Sequence, residues 1–246
     1  MEFGISIIFL FRLPPSAFRL LCSMSYYPIF LELEGQTALV IGGGRVAERK
    51  IEGLLACGAI IYIISKGLTD KLKGLIEAGE VTYLGEEFEE KHLQGVTLVI
   101  AATDEKGLNH KVSESARKKG LLMNVVDQPA DCNFIVPSVV RRGDLLIAIS
   151  SSGKSPALAK KIRERLEQQF GKEYGTFLLL MGHLREEILS RGLSQKENSR
   201  IFQEIVYSDV LEALASNDWE TVESALRRIV PGDLPLKEIL ERISHS

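Results

Sequence analysis

Three consecutive glycines, Gly42-Gly43-Gly44, end a short apolar run (Thr37–Ile41) and open a helix-forming segment. Few local patterns restrict a chain so strongly. Gly42-x-Gly44-x-x-Ala47 fits the dinucleotide fingerprint. There the first glycine makes the tight turn, the second lets backbone approach a pyrophosphate, and the small third residue lets helix pack on strand. Free N–H groups and the positive end of the helix dipole then face the phosphates. Glycine-rich strand–helix turns also occur for structural reasons alone. With a strand before the turn and a helix directly after it, the context favours nucleotide binding.

The pattern around this turn alternates strand and helix from Tyr26 to about Ser150. Strands are expected at Thr37–Ile41, Ala59–Ile64, Val81–Leu84, Val96–Ala101, Leu121–Val126 and Leu145–Ser150. Helices are expected at Val46–Cys57, Leu68–Ala78 and about Leu108–Lys119. Near-continuous apolar strands separated by helices predict a parallel sheet covered on both faces, a doubly wound α/β fold of Rossmann type. Beyond Ser150 the polar loop Ser151-Ser152-Gly153-Lys154-Ser155-Pro156 leads into an amphipathic helix, Ala157–Phe170. Ser155 suits the N-cap and Pro156 the first helical position. Leu178–Arg191, Lys196–Tyr207, Val210–Ala215 and Trp219–Ile229 read as helices, a small all-helical module.

A chain of 246 residues, 45% hydrophobic and 26% charged, can build one good core and a smaller second unit. Its net charge of -3 argues against a nucleic-acid partner. Three scattered cysteines, Cys22, Cys57 and Cys132, form no C-x-x-C pair, which suits free thiols in a reducing cytoplasm. His92, His110, His183 and His245 show no ligand spacing, so no structural metal is expected. The apolar stretch Ile5–Phe11 falls far short of the roughly 20 residues that span a bilayer. Glu2 and the Pro14-Pro15 break do not suit a secretory signal either, so no membrane association is expected, a membrane anchor being the lesser reading of this stretch. Met24 directly precedes a natural lead-in to the first strand, and residues 1–24 read as a non-native extension from a start codon placed too early.

Loops at the carboxyl ends of strands should line the cleft. They are the glycine turn, Ala102-Thr103-Asp104-Glu105, and Asp127-Gln128-Pro129. Thr103 and Asp104 suit the cofactor and suit equally a cap on the following helix. Asp before X-Pro is a common turn starter, while a strand end facing the cofactor also suits a chemical role for Asp127. The end of the second strand departs from the fingerprint, which normally places an acid there for the ribose hydroxyls. Ser65-Lys66 stands there instead, with Asp70 only later. Lys66 suits a 2′-phosphate or is a solvated loop lysine, leaving NAD and NADP both open.

Four ordered motifs, GGGRVAERK, AATDEKGLN, NVVDQPADCNFIVPS and IAISSSGKSPALAKKIRERLE, closely resemble the precorrin-2 dehydrogenases. That family includes the N-terminal module of sirohaem synthase and its fungal bifunctional counterpart. The resemblance covers Tyr27 to about Phe170 strongly and the tail more loosely. No methyltransferase-like segment follows, as in the free-standing form. The resemblance implies NAD-dependent oxidation of precorrin-2 to sirohydrochlorin, and in some members insertion of Fe²⁺, the metal then being a chelatase substrate. The substrate it implies is a small-molecule tetrapyrrole; the apolar faces of the helical tail suit a dimer or a lid, and a cytoplasmic homodimer is expected. The expected organisation is a Rossmann domain (25–136), a dimerisation and tetrapyrrole-cleft segment (137–170) and a helical module (171–246).

Asp127 matches the family's catalytic aspartate. Cofactor contacts fall on Gly42, Gly43, Gly44, Arg45, Val46 and Ala47, on Ser65, Lys66, Leu68 and Thr69, and on Thr103 and Asp104. Substrate contacts fall on Asn124, Ser151, Ser152, Gly153, Lys154 and Ser155. Ser151 matches a serine that is phosphorylated in some members. The Asp of the family's CDF triplet is Asn133 here, so a carboxylate role at that position does not carry over. Arg141, Arg142 and Lys154 would offer cations to a polycarboxylate, or are solvated surface charges. A carboxylate beside the cofactor suits general-base work. Another small NAD-linked dehydrogenase lacks support, since no Ser-Tyr-Lys or metal chemistry is visible. A non-catalytic nucleotide-sensing module would not need Asp127 or the serine loop.

Overall fold

The computed structural model describes residues 26–244, and the extension expected over residues 1–24 lies outside them. The chain divides into two compact units, at Val136/Pro137.

In the first unit, five parallel strands form one sheet: β1 (Thr37–Ile41), β2 (Ile60–Ile64), β3 (Val81–Gly85), β4 (Leu98–Ala101) and β5 (Leu122–Val125). Their order is β3-β2-β1-β4-β5. Helices α1 (Arg45–Leu55), α2 (Asp70–Glu77) and α3 (Lys106–Lys118) alternate with them. Strand residues alternate between faces, so one apolar run feeds two cores. Ala38, Val40, Ile61, Ile63, Leu98 and Ile100 pack with Ala47 and Ile51 of α1 and Leu72 of α2. Leu39, Ile41, Ile64, Val99 and Ala101 pack on the other side with Val112 and Ala116 of α3. Covering both faces is what made these strands continuously apolar. Strand order reverses direction between β1 and β4, which flank the glycine turn, the usual position of a ligand crevice.

The second unit corrects one expectation. Leu145–Ser150 does not continue the parallel alternation. Instead β6 (Ser138–Arg142) and β7 (Leu145–Ile149) form a two-stranded antiparallel sheet, with Arg142 opposite Leu145 across Gly143-Asp144. A Gly-Asp pair between two β-rich runs is a hairpin signal that was present in the sequence. Six helices follow: α4 (Pro156–Gln169), α5 (Glu173–Ser190), α6 (Gln195–Val206), α7 (Val210–Ala215), α8 (Trp219–Ile229) and α9 (Leu236–Ser244). The last was not expected, although Leu236, Ile239, Leu240 and Ile243 repeat at helical spacing and are all buried. Phe177, Leu180, Leu184 and Ile188 of α5 form the centre of one apolar cluster to which α6–α9 contribute. No helix among the described residues is long and apolar enough to cross a membrane.

Candidate functional site

At the carboxyl edge of β1 lies a cleft of about 460 Å³, inside the usual size range for a small-molecule site. Gly42 has φ +116°, and its N–H donates to the Ile64 carbonyl at 2.8 Å. A Cβ there would stand 2.3 Å from the Ala102 carbonyl oxygen, so the turn is wedged between the ends of β2 and β4. At Gly43 a Cβ would meet the Gly67 carbonyl at 2.1 Å, and the Gly43 carbonyl accepts the Thr69 N–H at 3.0 Å. Gly44 differs from both, because a Cβ there would meet nothing within 4 Å. Gly44 caps α1 in extended conformation with no side chain bonded to the helix end. Gly44, Arg45 and Val46 at the start of α1 line the cleft, and this cradle fits a pyrophosphate.

Nine expected cofactor positions line this cleft: the three glycines, Arg45, Val46, Ser65, Lys66, Thr103 and Asp104. Ala47 is fully buried beneath it, letting α1 lie close on the sheet. Leu68 and Thr69 lie outside the lining. Leu68 packs against the core beside α1. Thr69 caps α2, accepting the Leu72 N–H at 3.3 Å and donating to Glu48 Oε2 at 2.6 Å. That bond occupies the one acidic side chain in the first turn of α1. Thr103 is held by the buried Asn109, donating to its Oδ1 at 2.7 Å and accepting Asn109 Nδ2 on its carbonyl at 2.9 Å. Glu86 and Glu105, which the fingerprint did not single out, also line the cleft. Lys66 Nζ donates to Glu105 Oε1 at 3.1 Å. Glu105 raises the Lys66 ammonium above the ordinary lysine range, and Glu87 and Glu86 add to the effect.

Asp127 follows β5 at the same sheet edge, exposed and outside this cleft, in the left-handed region at φ +59°. Asp tolerates that conformation better than most residues. Its turn is held from two sides. Cys132 Sγ accepts the Val125 N–H at 3.1 Å and lies 3.3 Å from the Val125 carbonyl. On α3, one face supplies His110 Nδ1 to Asp131 at 2.9 Å, Ser113 Oγ to the Asp131 carbonyl at 2.7 Å, and Arg117 to the Ala130 carbonyl at 2.6 Å. Asn124 Nδ2 donates to the Phe134 carbonyl at 3.1 Å.

Asn133 explains its own departure from the family triplet. Its Oδ1 accepts the Met123 N–H at 2.7 Å and its Nδ2 donates to the Leu121 carbonyl at 2.8 Å. The side-chain amide thus pairs with the edge of β5 as a peptide group would. A carboxylate has no donor for the second bond. Lys50 of α1 is lowered from the ordinary lysine range by burial and then by Arg49, while Cys132 acts in the opposite sense.

The serine loop belongs to the second unit. Ser151 Oγ accepts the Ser155 N–H at 3.0 Å, and Ser155 caps α4 by accepting the Leu158 N–H at 3.3 Å. Ser152 and Gly153 both have positive φ, so the loop is a tight turn directly before the helix. Arg142 is not a free cation. Its guanidinium donates to the Phe170 and Glu167 carbonyls at 2.8 Å each and to the Arg141 carbonyl at 2.9 Å, which satisfies the carboxyl end of α4. Among the described residues no group of His, Cys, Asp and Glu could hold a metal ion.

Two family models match the chain, one of putative NAD(P)-binding domains over residues 29–138 and one of the central part of sirohaem biosynthesis proteins over residues 142–169. A solved precorrin-2 dehydrogenase, SirC, superposes with a TM-score of 0.69 at 26% identity, over 81% of this chain and 98% of its own. The chain is thus similar in sequence to sirohaem biosynthesis proteins and in fold to a precorrin-2 dehydrogenase. The sirohaem synthase of Photorhabdus laumondii is 41% identical over 79% of this chain and 41% of its own length. Sirohaem synthase 1 of Aeromonas salmonicida is 40% identical over 79% and 42%. The chain therefore spans about two fifths of the length of these curated relatives.

Proposed function

We propose that this protein is a precorrin-2 dehydrogenase, which oxidises precorrin-2 to sirohydrochlorin with NAD⁺. The observation that carries the reading is one sheet edge holding both a phosphate cradle at Gly44 and a left-handed aspartate at Asp127. β4 separates β1 from β5, so their ends stand about 10 Å apart at the usual strand spacing. A dinucleotide anchored by its pyrophosphate on α1 spans that distance toward Asp127.

When bound, NAD⁺ supplies the acceptor for the hydride that leaves the substrate. The chain's residues do the rest. The N–H groups of α1 bind the pyrophosphate, and Thr103, fixed by Asn109, shapes the wall between the two ends. The Asp127 carboxylate accepts the proton that must leave with the hydride, so that precorrin-2 and NAD⁺ become sirohydrochlorin, NADH and H⁺. Asn124 and the loop from Ser151 to Ser155 are proposed for the tetrapyrrole, with Lys154 as a cation for its carboxylates. Fe²⁺ insertion, as a second activity, would use the same base for the pyrrole protons, with the iron as substrate.

Free Cys57 and Cys132 support a reducing, cytoplasmic setting. Among the described residues the β6–β7 sheet has two strands and no further one beside them, which with the exposed Val139 supports pairing with a second copy. The test is incubation of pure protein with precorrin-2 and NAD⁺, following NADH and the sirohydrochlorin spectrum together. Stoichiometric appearance of both is expected. NADH binding without turnover would make the chain a nucleotide-sensing module. Added Fe²⁺ reports chelation, and sedimentation the dimer.

A further inference from the structure

Where the fingerprint normally has an acid at the end of its second strand, this chain has Ser65-Lys66, yet carboxylates reach that corner from two other loops. We propose that Glu86 and Glu105 make the cleft choose NAD over NADP. Glu86 replaces the missing acid as ribose acceptor, and Glu105 keeps Lys66 from serving a 2′-phosphate. The inference rests on reading the cleft as a dinucleotide site.

Sheet topology puts Glu86 in place. β3 lies beside β2, and the Ser65 N–H donates to the carbonyl of Gly85, the last residue of β3, at 3.0 Å. Glu86 is the next residue, and it lines the cleft together with Ser65. A carboxylate accepts hydrogen bonds from ribose hydroxyls and repels a phosphate monoester, which carries about 1.5–2 negative charges at neutral pH.

Glu105 comes from the opposite side, at the start of α3 and 39 residues from Lys66, and the pair joins two lining loops. With side chains 63% and 60% exposed, this ion pair contributes little to stability. Its consequence is local charge. The lysine at the end of β2 faces a carboxylate already bonded to it, with Glu86 and Glu87 close enough to act on the same ammonium. A 2′-phosphate arriving there would have to displace Glu105 and sit against Glu86.

Titration of the full chain with NADH and with NADPH, read by nucleotide fluorescence and calorimetry, tests this without turnover. Wild type should bind NADH more tightly. Glu86→Gln should raise the NADH Kd about tenfold through loss of a charged acceptor. Glu105→Gln should lower the NADPH Kd about tenfold by releasing Lys66, and adding Lys66→Ala should cancel that gain. Lys66→Ala alone should change the ratio little. If wild type binds NADH and both glutamate variants keep its NADH/NADPH ratio, the proposal is overturned while the cleft reading stands. If wild type binds neither nucleotide, the cleft reading falls, and the proposal with it.

Discussion

Asp127 and Asn133 show how one atom decides a role. Asp127 sits at positive φ, a conformation that Asn adopts as readily as Asp. Asp127→Asn therefore keeps the turn and removes only the base. NADH affinity and Tm should hold, while precorrin-2 oxidation should fall by roughly 10²–10⁴, the usual worth of a positioned base. Near-normal turnover in that variant would reduce Asp127 to a turn residue. Asn133→Asp reverses the logic, since restoring the family's carboxylate deletes the donor to the Leu121 carbonyl. A loss of about 0.5–1.5 kcal/mol is expected from that bond, measured by urea denaturation at neutral pH. If the Asn133→Asp protein proved as stable as wild type, the amide pairing with β5 would contribute nothing.

Among the elements, two helices of the second unit carry a carboxylate in the cap. Ser194 and Glu197 form a reciprocal box at the start of α6, and Asp218 accepts the Thr221 N–H at 3.0 Å at the start of α8. The Ser194 hydroxyl and then its N–H hold the Glu197 carboxyl below its ordinary 4.5. The Thr221 hydroxyl and then its N–H do the same for Asp218, below 3.8. A carboxyl lowered by folding stabilises fully above its unfolded value and loses that contribution as pH falls through its folded value. Stability should thus decline as pH drops below about 4.5, and Glu197→Gln should flatten part of that decline. Thermal melts of both proteins between about pH 6 and pH 3 measure it, and parallel curves would exclude the box as a cause.

For the molecule as a whole, the division into two units assigns the nucleotide cleft to the first and the cluster around α5 to the second. A ligand stabilises what it binds, by about 2.7 kcal/mol at a hundred times its Kd. NADH should therefore raise the unfolding temperature of the unit carrying the glycine turn. Hydrogen exchange with and without NADH separates the two: added protection is expected in β1, α1 and β4 and little in α6–α9. Uniform protection across both units would contradict the assignment.

Much of this was legible in the chain because it depends on neighbours in sequence. The glycine turn, the five parallel strands and the Ser155 cap follow from local sterics and periodicity, and β1, α7 and α8 fall at the expected residues. The pairing of β7 was not read, because Ser138–Arg142 ends in two arginines and resembles a charged loop until its hairpin partner is considered. Cleft composition needed tertiary structure for a different reason. Glu105 lies in a loop that the sequence already assigns to the cleft, but Glu86 looks like an ordinary loop acid, and the strand order β3-β2-β1-β4 brings both to the corner where Lys66 stands. Arg142 looked like a substrate cation and became a helix cap, because the carbonyls it satisfies lie 25 and 28 residues away. Short-range patterns set which elements form, and the packing of distant segments decided which charges remained free to act.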